Sequence, residues 1–343
     1  MDIHNEWINL HIFFRSVTMP LFFDDFPRNS QERPHYTMMM DRMLPGLGEM
    51  LPVISPYISV AKIGWGTPML MDEEFLRNRV GMYRKFGVGV SNGGTMLEIA
   101  SSRGRHPELL QRLRELGFTT IELSEGVLDI PERQKREIVE FARSAGMGLN
   151  VEVGRKNAAN QLSLEETIDR MNSAFALDPD IVIVEGRETG KSVEIYDQDG
   201  RIKWDWVSRI TEEFDISRIM FEAPMEDQQA QLIVRLGNSI NLGNVSMHSV
   251  IPLESQRQGL RGDTFGAHLG PEKVHGSPAA KFVYHVVASS GPMDQSRIMK
   301  ITSLNRRTVQ LSISSLSSQG LLREVPDPHD LRRKLYSCET GHR

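Results

Sequence analysis

The sequence predicts an α/β fold, a (β/α)8 TIM barrel carrying a small C-terminal domain. Three observations carry the prediction. Between Tyr36 and Ser246 the chain runs eight times through a short apolar stretch that stops on Gly or a charged residue, and a helical pattern follows. The 343 residues exceed the roughly 250 that a barrel needs, leaving room for a second unit. From Pro278 onward the alternation gives way to helical segments and a short charged hairpin.

The elements follow in order. The first strand is expected at Tyr36–Met40 and the second at Ser59–Gly64, where Val60 and Ile63 flank Lys62. A helical stretch over Asp72–Phe86 leads to the third strand, Val88–Ser91. Glu108–Leu116 spaces Leu109, Leu110, Leu113 and Leu116 as a helix face and stops at Gly117, and the fourth strand is Thr119–Leu123. The next helix, Pro131–Ser144, has Pro in its first turn and Gly146 just beyond its end, as helix termini favour. After the fifth strand, Gly148–Val153, Ser163 and Glu166 form the capping-box pattern of a helix that runs to Phe175. The sixth strand, Asp180–Val184, is a continuous apolar run suited to burial on both faces. Asp197-Gln198-Asp199-Gly200 is a turn before the last two strands, Arg218–Phe221 and Ser239–Leu242, and a helix over Pro252–Gly259 closes the barrel. The expected organisation is an N-terminal extension over 1–23, a barrel over 24–266, a linker over 267–277 rich in Gly, His and charge, and a second domain over 278–343. Because Met19 opens a new stretch, residues 1–18 are expected to be a poorly ordered extension or to precede the true start.

Composition bounds the function. Cys338 is the single cysteine, so no intrachain disulfide forms and a cytoplasmic, reducing location is expected. Leu10–Phe23 is apolar but is interrupted by Arg15 and falls short of the roughly 20 residues that span a bilayer, so no membrane partner is expected. The formal net charge of −5 is unevenly spread. From Pro278 to Arg343 there are ten Lys and Arg against five Asp and Glu, leaving 30 against 40 before it. A basic tail on an acidic body points to an anionic partner for the tail, with nucleic acid the usual candidate.

Chemistry in a TIM barrel sits where the strands end, at the C-terminal face. Four strand ends put carboxylates there: Glu122 with Glu125, Glu152, Glu185 with Glu188, and Glu222. Acids sharing one mouth repel unless cations compensate. Lys62, Arg155, Lys156, Arg187 and Arg261 supply part of that charge, and a divalent metal would supply the rest. Oxygen-only ligands suit Mg²⁺, with no His/Cys cluster of the kind zinc prefers. The alternative is a salt-bridge network without a metal. Gly64-Trp65-Gly66-Thr67, Gly93-Gly94-Thr95 and Gly243-Asn244 are glycine turns that let backbone N–H groups approach an anion, and Arg261 adds a guanidinium able to grip phosphate or carboxylate.

Seven strings in order resemble one family, phosphosulfolactate synthase, over roughly Asp24 to Gly266. They are Lys62-Ile63-Gly64-Trp65-Gly66-Thr67, Gly93-Gly94-Thr95, Glu152-Val153-Gly154-Arg155-Lys156, Glu185-Gly186-Arg187-Glu188, Phe221-Glu222-Ala223-Pro224, Asn241-Leu242-Gly243-Asn244 and Gly259-Leu260-Arg261-Gly262-Asp263-Thr264. The resemblance implies Mg²⁺-dependent addition of sulfite to phosphoenolpyruvate, giving (2R)-phospho-3-sulfolactate on a route to coenzyme M. It marks Lys156, the second basic residue of the family's Glu-Val-Gly-Lys-Lys string, as the acid that protonates carbon two, with Lys62 and Arg155 as further catalytic candidates. Glu152, Glu185 and Glu222 are the expected metal ligands. Asp41, Lys62 and Arg187 are expected on the substrate, and Gly243, Asn244 and Arg261 on its phosphate. Three departures stand out: the family's Asp-Lys-Gly is Asp41-Arg42-Met43 here, its Ser-Asp-Gly is Ser124-Glu125-Gly126, and Arg155 replaces the first Lys of its basic pair.

The C-terminal strings Ser303-Leu304-Asn305-Arg306-Arg307-Thr308-Val309, Gly320-Leu321-Leu322-Arg323 and Asp327-Pro328-His329-Asp330-Leu331-Arg332-Arg333 resemble the winged helix-turn-helix of multiple-antibiotic-resistance-type regulators. That resemblance implies duplex DNA as partner, with Arg306 and Arg307 at the start of a recognition helix and Arg323, Arg332 and Arg333 on the wing. Winged helices that read paired half-sites act as dimers, so a homo-oligomer is expected. Two functions remain open at this stage: an enzyme with an appended regulatory domain, or a metabolite-sensing regulator whose barrel binds a phosphorylated or sulfonated ligand without turnover.

Overall fold

The computed structural model describes residues 35–157, 160–264, 277–290, 292–327 and 330–338. The expected N-terminal extension, and all of the expected linker but Ser277, lie outside them. Eight strands close a barrel in sequence order: β1 (Thr37–Asp41), β2 (Val60–Ile63), β3 (Gly89–Asn92), β4 (Thr120–Ser124), β5 (Gly148–Val153), β6 (Ile181–Val184), β7 (Ile219–Glu222) and β8 (Asn241–Ser246). Every pairing is parallel, including β1 with β8. The connecting helices are α1 (Leu47–Ile54), α2 (Glu73–Lys85), α3 (Gly94–Ser102), α4 (His106–Leu116), α5 (Glu132–Ser144), α6 (Leu164–Phe175), α7 (Trp204–Glu213), α8 (Glu226–Leu236) and α9 (Val250–Arg257). The Ser163–Glu166 capping box forms as the sequence predicts, whereas α1 and α3 carry no comparable start signal on their Gly N-caps.

The strand period makes this architecture. Side chains alternate across a strand, so residues two apart share a face. One face supplies the large core between strands and helices, for example Ala61, Ile63, Ile121, Leu123, Val151 and Val153. The other points into the barrel, where Met38, Val60, Ile181, Ile183 and Met220 pack as an apolar plug. Two residues further along the same faces stand Lys62, Glu185 and Glu222, and the same alternation brings Glu122 and Glu152 to that level. The apolar plug is therefore the floor of a charged layer at the C-terminal ends of the strands.

The described residues up to Thr264 and those from Ser277 form separate compact units. The described part of the second contains α10 (Pro278–Ser290), α11 (Gln295–Thr302), α12 (Arg306–Ser318) and an antiparallel hairpin of β9 (Leu322–Asp327) and β10 (Asp330–Cys338). Asp294 and Asn305 cap α11 and α12 by accepting from Arg297 N and Thr308 N. Its own core gathers Val283, Val287, Ile298, Val309, Leu316 and Leu322. Among the described residues no helix is long and apolar enough to cross a membrane.

Candidate active site

A cavity of about 210 Å³ opens at the C-terminal face of the barrel, lined among others by Lys62, Thr95, Glu152, Lys156, Glu185, Arg187, Glu222 and Asn244. Its floor is a buried ion network. Lys62 Nζ, on β2, lies 2.8 Å from Glu122 Oε1, 2.8 Å from Glu152 Oε2 and 3.1 Å from Glu222 Oε1. Burial alone would drive this ammonium neutral, but Glu122, Glu152, Glu222 and Glu185 outweigh it and hold its pKa well above the ordinary value. Lys156, in the turn after β5, places Nζ 2.9 Å from Glu152 Oε1 and 3.6 Å from Glu185 Oε2, with Thr95 Oγ1 at 3.4 Å. Here too burial lowers the pKa and the neighbouring acids raise it further, so the side chain stays protonated.

The carboxylates divide into two kinds. Glu152, opposed by burial but flanked by Lys156 and Lys62, is held well below its ordinary pKa. Glu185 is raised well above its own by burial, then by Glu152 and Glu222. Glu122 rises to about 7, because burial outweighs its contact with Lys62. Four glutamates against two lysines leave an excess of two negative charges when all are ionised, which one divalent cation neutralises.

The donor set fits such an ion. Carboxylate oxygens of Glu152, Glu185 and Glu222 lie within 4.8 Å of one another, all three residues buried. Glu185 Oε2 and Asn244 Oδ1, both on cavity-lining residues, are buried without a hydrogen-bond donor, as expected of oxygens that await a cation or substrate. All are hard oxygen ligands, the chemistry Mg²⁺ prefers.

Backbone geometry aims several of these groups. Arg187 and Asn244 hold positive φ of 54° and 56°, a conformation costly for residues other than Gly. Asn244 Nδ2 donates to Arg187 O at 2.6 Å, and Arg187 N donates to Glu185 Oε1 at 2.7 Å, locking the turn after β6 to β8. Among the described residues the Arg187 guanidinium has no ion-pair partner, leaving it for an anion at the cavity.

Four sequence-selected residues are not at the cavity. Asp41 is taken up by Arg79, which donates to both its oxygens at 2.7 Å, and by the Tyr83 hydroxyl at 2.8 Å, so it anchors the first turn. The Arg155 guanidinium turns outward to Glu125 O and Asp129 Oδ1, at 2.8 and 2.6 Å. Arg261 pairs with Glu226 and Asp263 on a partly exposed surface. Gly243 lies inside β8 where a Cβ would press to 2.7 Å from Met220 Sδ, so packing explains its lack of a side chain. Lys62, Lys156, Arg187, Asn244 and the three metal candidates do converge.

Sequence reasoning missed Glu98, and singled out Thr95 and Trp65 only as parts of their glycine turns, whereas both line the cavity. Glu98, 1% exposed on α3, accepts from the Ser124 hydroxyl and from Val127 and Leu128 N. The available signal was a lone charge in the otherwise uncharged helix sequence GTMLEIASS. In the second unit Arg306, Arg307 and Arg323 are exposed, the first two opening α12, while Arg332 and Arg333 fall within β10.

The family model for (2R)-phospho-3-sulfolactate synthase (ComA) matches residues 27–263. Phosphosulfolactate synthase of Methanocaldococcus jannaschii is 35% identical over 248 residues, covering 71% of this chain and 96% of that protein. The protein of the same name from Methanothermobacter thermautotrophicus is 34% identical over 248 residues, covering 70% and 95%. That of Bacillus subtilis is 31% identical over 214 residues, covering 62% and 83%.

Proposed function

The chain belongs to the (2R)-phospho-3-sulfolactate synthase family, and we propose that it adds sulfite to phosphoenolpyruvate to give (2R)-phospho-3-sulfolactate, on a route to coenzyme M. The observation that carries the reading is the convergence of Glu152, Glu185 and Glu222 from three consecutive strands beside a protonated Lys156 in one cavity.

The chemistry follows from those groups. The sulfur lone pair of sulfite forms a bond to the methylene carbon of phosphoenolpyruvate. The double-bond electrons move to carbon two and are delocalised into the carboxylate, giving an enediolate-like dianion. Lys156 Nζ then delivers its proton to carbon two from one face, which sets the configuration. Its raised pKa keeps it protonated until the dianion, a stronger base than the amine it leaves behind, takes the proton. Glu152 and Glu185 hold the ammonium, and the neutral amine left after the transfer regains its proton from solvent at the open cavity. Glu152, Glu185 and Glu222 would hold Mg²⁺, whose contribution when bound is Lewis-acid polarisation of the substrate carboxylate. Arg187 meets the anionic groups of the substrate at the mouth, Asn244 Oδ1 adds an acceptor beside the carboxylate cluster, and Lys62 neutralises the floor so that three acids can stay close.

The test is incubation of the purified full chain with phosphoenolpyruvate, sulfite and Mg²⁺, with the product followed by phosphorus NMR and mass. Accumulation of the phosphosulfonate adduct, lost on chelation of the metal, is the expected result. Tight binding of phosphoenolpyruvate without any adduct would favour a sensor.

The second unit is read as a DNA-binding winged helix. In that reading α12 enters the major groove with Arg306 and Arg307 at its start, Arg323, Arg332 and Arg333 meet phosphates, and a homo-oligomer presents paired copies. Its basic balance and the exposure of Arg306, Arg307 and Arg323 support it.

A further inference from the structure

We infer that Glu98 is a positioning residue for Lys156, acting through the turn that follows β4. Glu98 touches no part of the cavity. It lies on α3, buried, and its carboxylate is spent on one short segment: Oε1 accepts from the Ser124 hydroxyl at 2.9 Å, and Oε2 accepts from Val127 N at 2.9 Å and Leu128 N at 2.7 Å. Charge-assisted bonds of this kind are about twice as strong as neutral ones. A buried acid that gathers three donors from residues 124–128 fixes that turn.

The turn in turn carries Lys156. Lys156 N donates to Gly126 O at 2.9 Å, and a Cβ on Gly126 would stand 2.9 to 3.0 Å from Lys156 Cγ, Cδ and Cε. The lysine stem therefore lies along the bare Cα of Gly126, a course that brings Nζ to Glu152 Oε1 at 2.9 Å. Ser124 joins the two halves. Its hydroxyl sits 2.9 Å from Glu98 Oε1 and 2.8 Å from Glu152 Oε1, and its oxygen accepts from Gly126 N at 3.1 Å. Its single proton serves one carboxylate at a time. Pointed at Glu98, it leaves Glu152 Oε1 to the Lys156 ammonium.

The inference uses the proposed chemistry only for its kinetic consequence; the placement of Lys156 is measurable without turnover. The experiment compares the full-length protein with Glu98→Gln and with Gly126→Ala, whose added Cβ presses on the Lys156 stem and leaves the buried carboxylate intact. Each is exposed to trinitrobenzenesulfonate near pH 9, and labelling of Lys156 is read by peptide mass spectrometry against exposed Lys300. Both variants are expected to raise the labelling rate of Lys156 by about fivefold or more with Lys300 unchanged, because the ammonium loses its enforced contact with Glu152. In the adduct assay, Glu98→Gln is expected to lower kcat by about tenfold with little change in KM, and to have no further effect in a Lys156→Ala background. Unchanged Lys156 labelling in a folded Gly126→Ala or Glu98→Gln protein would overturn the inference. So would an equal kcat loss with and without Lys156. A wild-type chain that makes no adduct removes the proposed reaction but leaves the labelling result to decide on Glu98.

Discussion

Lys62 Nζ touches three carboxylates at 2.8, 2.8 and 3.1 Å, yet Glu122 still carries a pKa of about 7. At Glu122 desolvation exceeds what the neighbouring ammonium returns. The sign of the consequence is definite. A carboxyl raised from 4.5 to about 7 makes folding take up a proton between those values, so its contribution to stability is full below about 4.5 and is lost as pH rises to about 7. Glu122→Gln is expected to flatten the dependence of the denaturation midpoint on pH across that window. A slope identical to that of the unsubstituted protein contradicts the assignment. The same scale explains which site residues were legible. Strand-end Glu and Lys announce themselves because the strand period fixes the face they share. Asp41 looked equally eligible, but its partners Arg79 and Tyr83 sit 38 and 42 residues away on α2, a pairing visible only in three dimensions.

At the scale of elements, the turns leaving the strands are packed backbone to backbone. Met43, Trp65 and Arg187, one in each turn after β1, β2 and β6, and Asn244 within β8 all carry φ between 54° and 56°. Gly93 has an ordinary φ, but a Cβ there would meet Gly64 Cα at 2.7 Å, and backbone cannot yield as a side chain does. Gly66 is the reverse case, with φ of 64° and open space around it. Gly93→Ala is expected to cost about 1–3 kcal/mol as overpacking between the turns after β2 and β3. Gly66→Ala is expected to cost about 1 kcal/mol from conformation alone. Chemical denaturation of both variants measures the difference, and a larger loss at Gly66 would contradict this account. The strands and most helices were readable to within a few residues because apolar period and capping residues mark them. The path of α3 and the role of its Glu98 were not, because a single buried charge looks in sequence like a surface one.

For the whole molecule, the alternation of strand and helix made the barrel predictable, while its cavity depended on which cations found partners elsewhere. Arg261 matches its family string and Arg155 keeps the charge of the Lys it replaces, but both spend that charge on Asp129, Glu226 and Asp263. Charge asymmetry between the units carries a separate expectation. Binding of the full chain to duplex DNA should weaken steeply with salt, and Arg306→Ala should reduce the slope of log affinity against log salt by about 1. Absence of binding at low salt contradicts a DNA-reading tail. The central claim, that Lys156 protonates the adduct beside a carboxylate cluster, is tested most directly by the rate of phosphosulfonate formation in Lys156→Ala and Arg261→Ala proteins. The account predicts a loss of about 100-fold or more for Lys156→Ala and under about threefold for Arg261→Ala. A Lys156→Ala protein within about tenfold of the unsubstituted rate would contradict it.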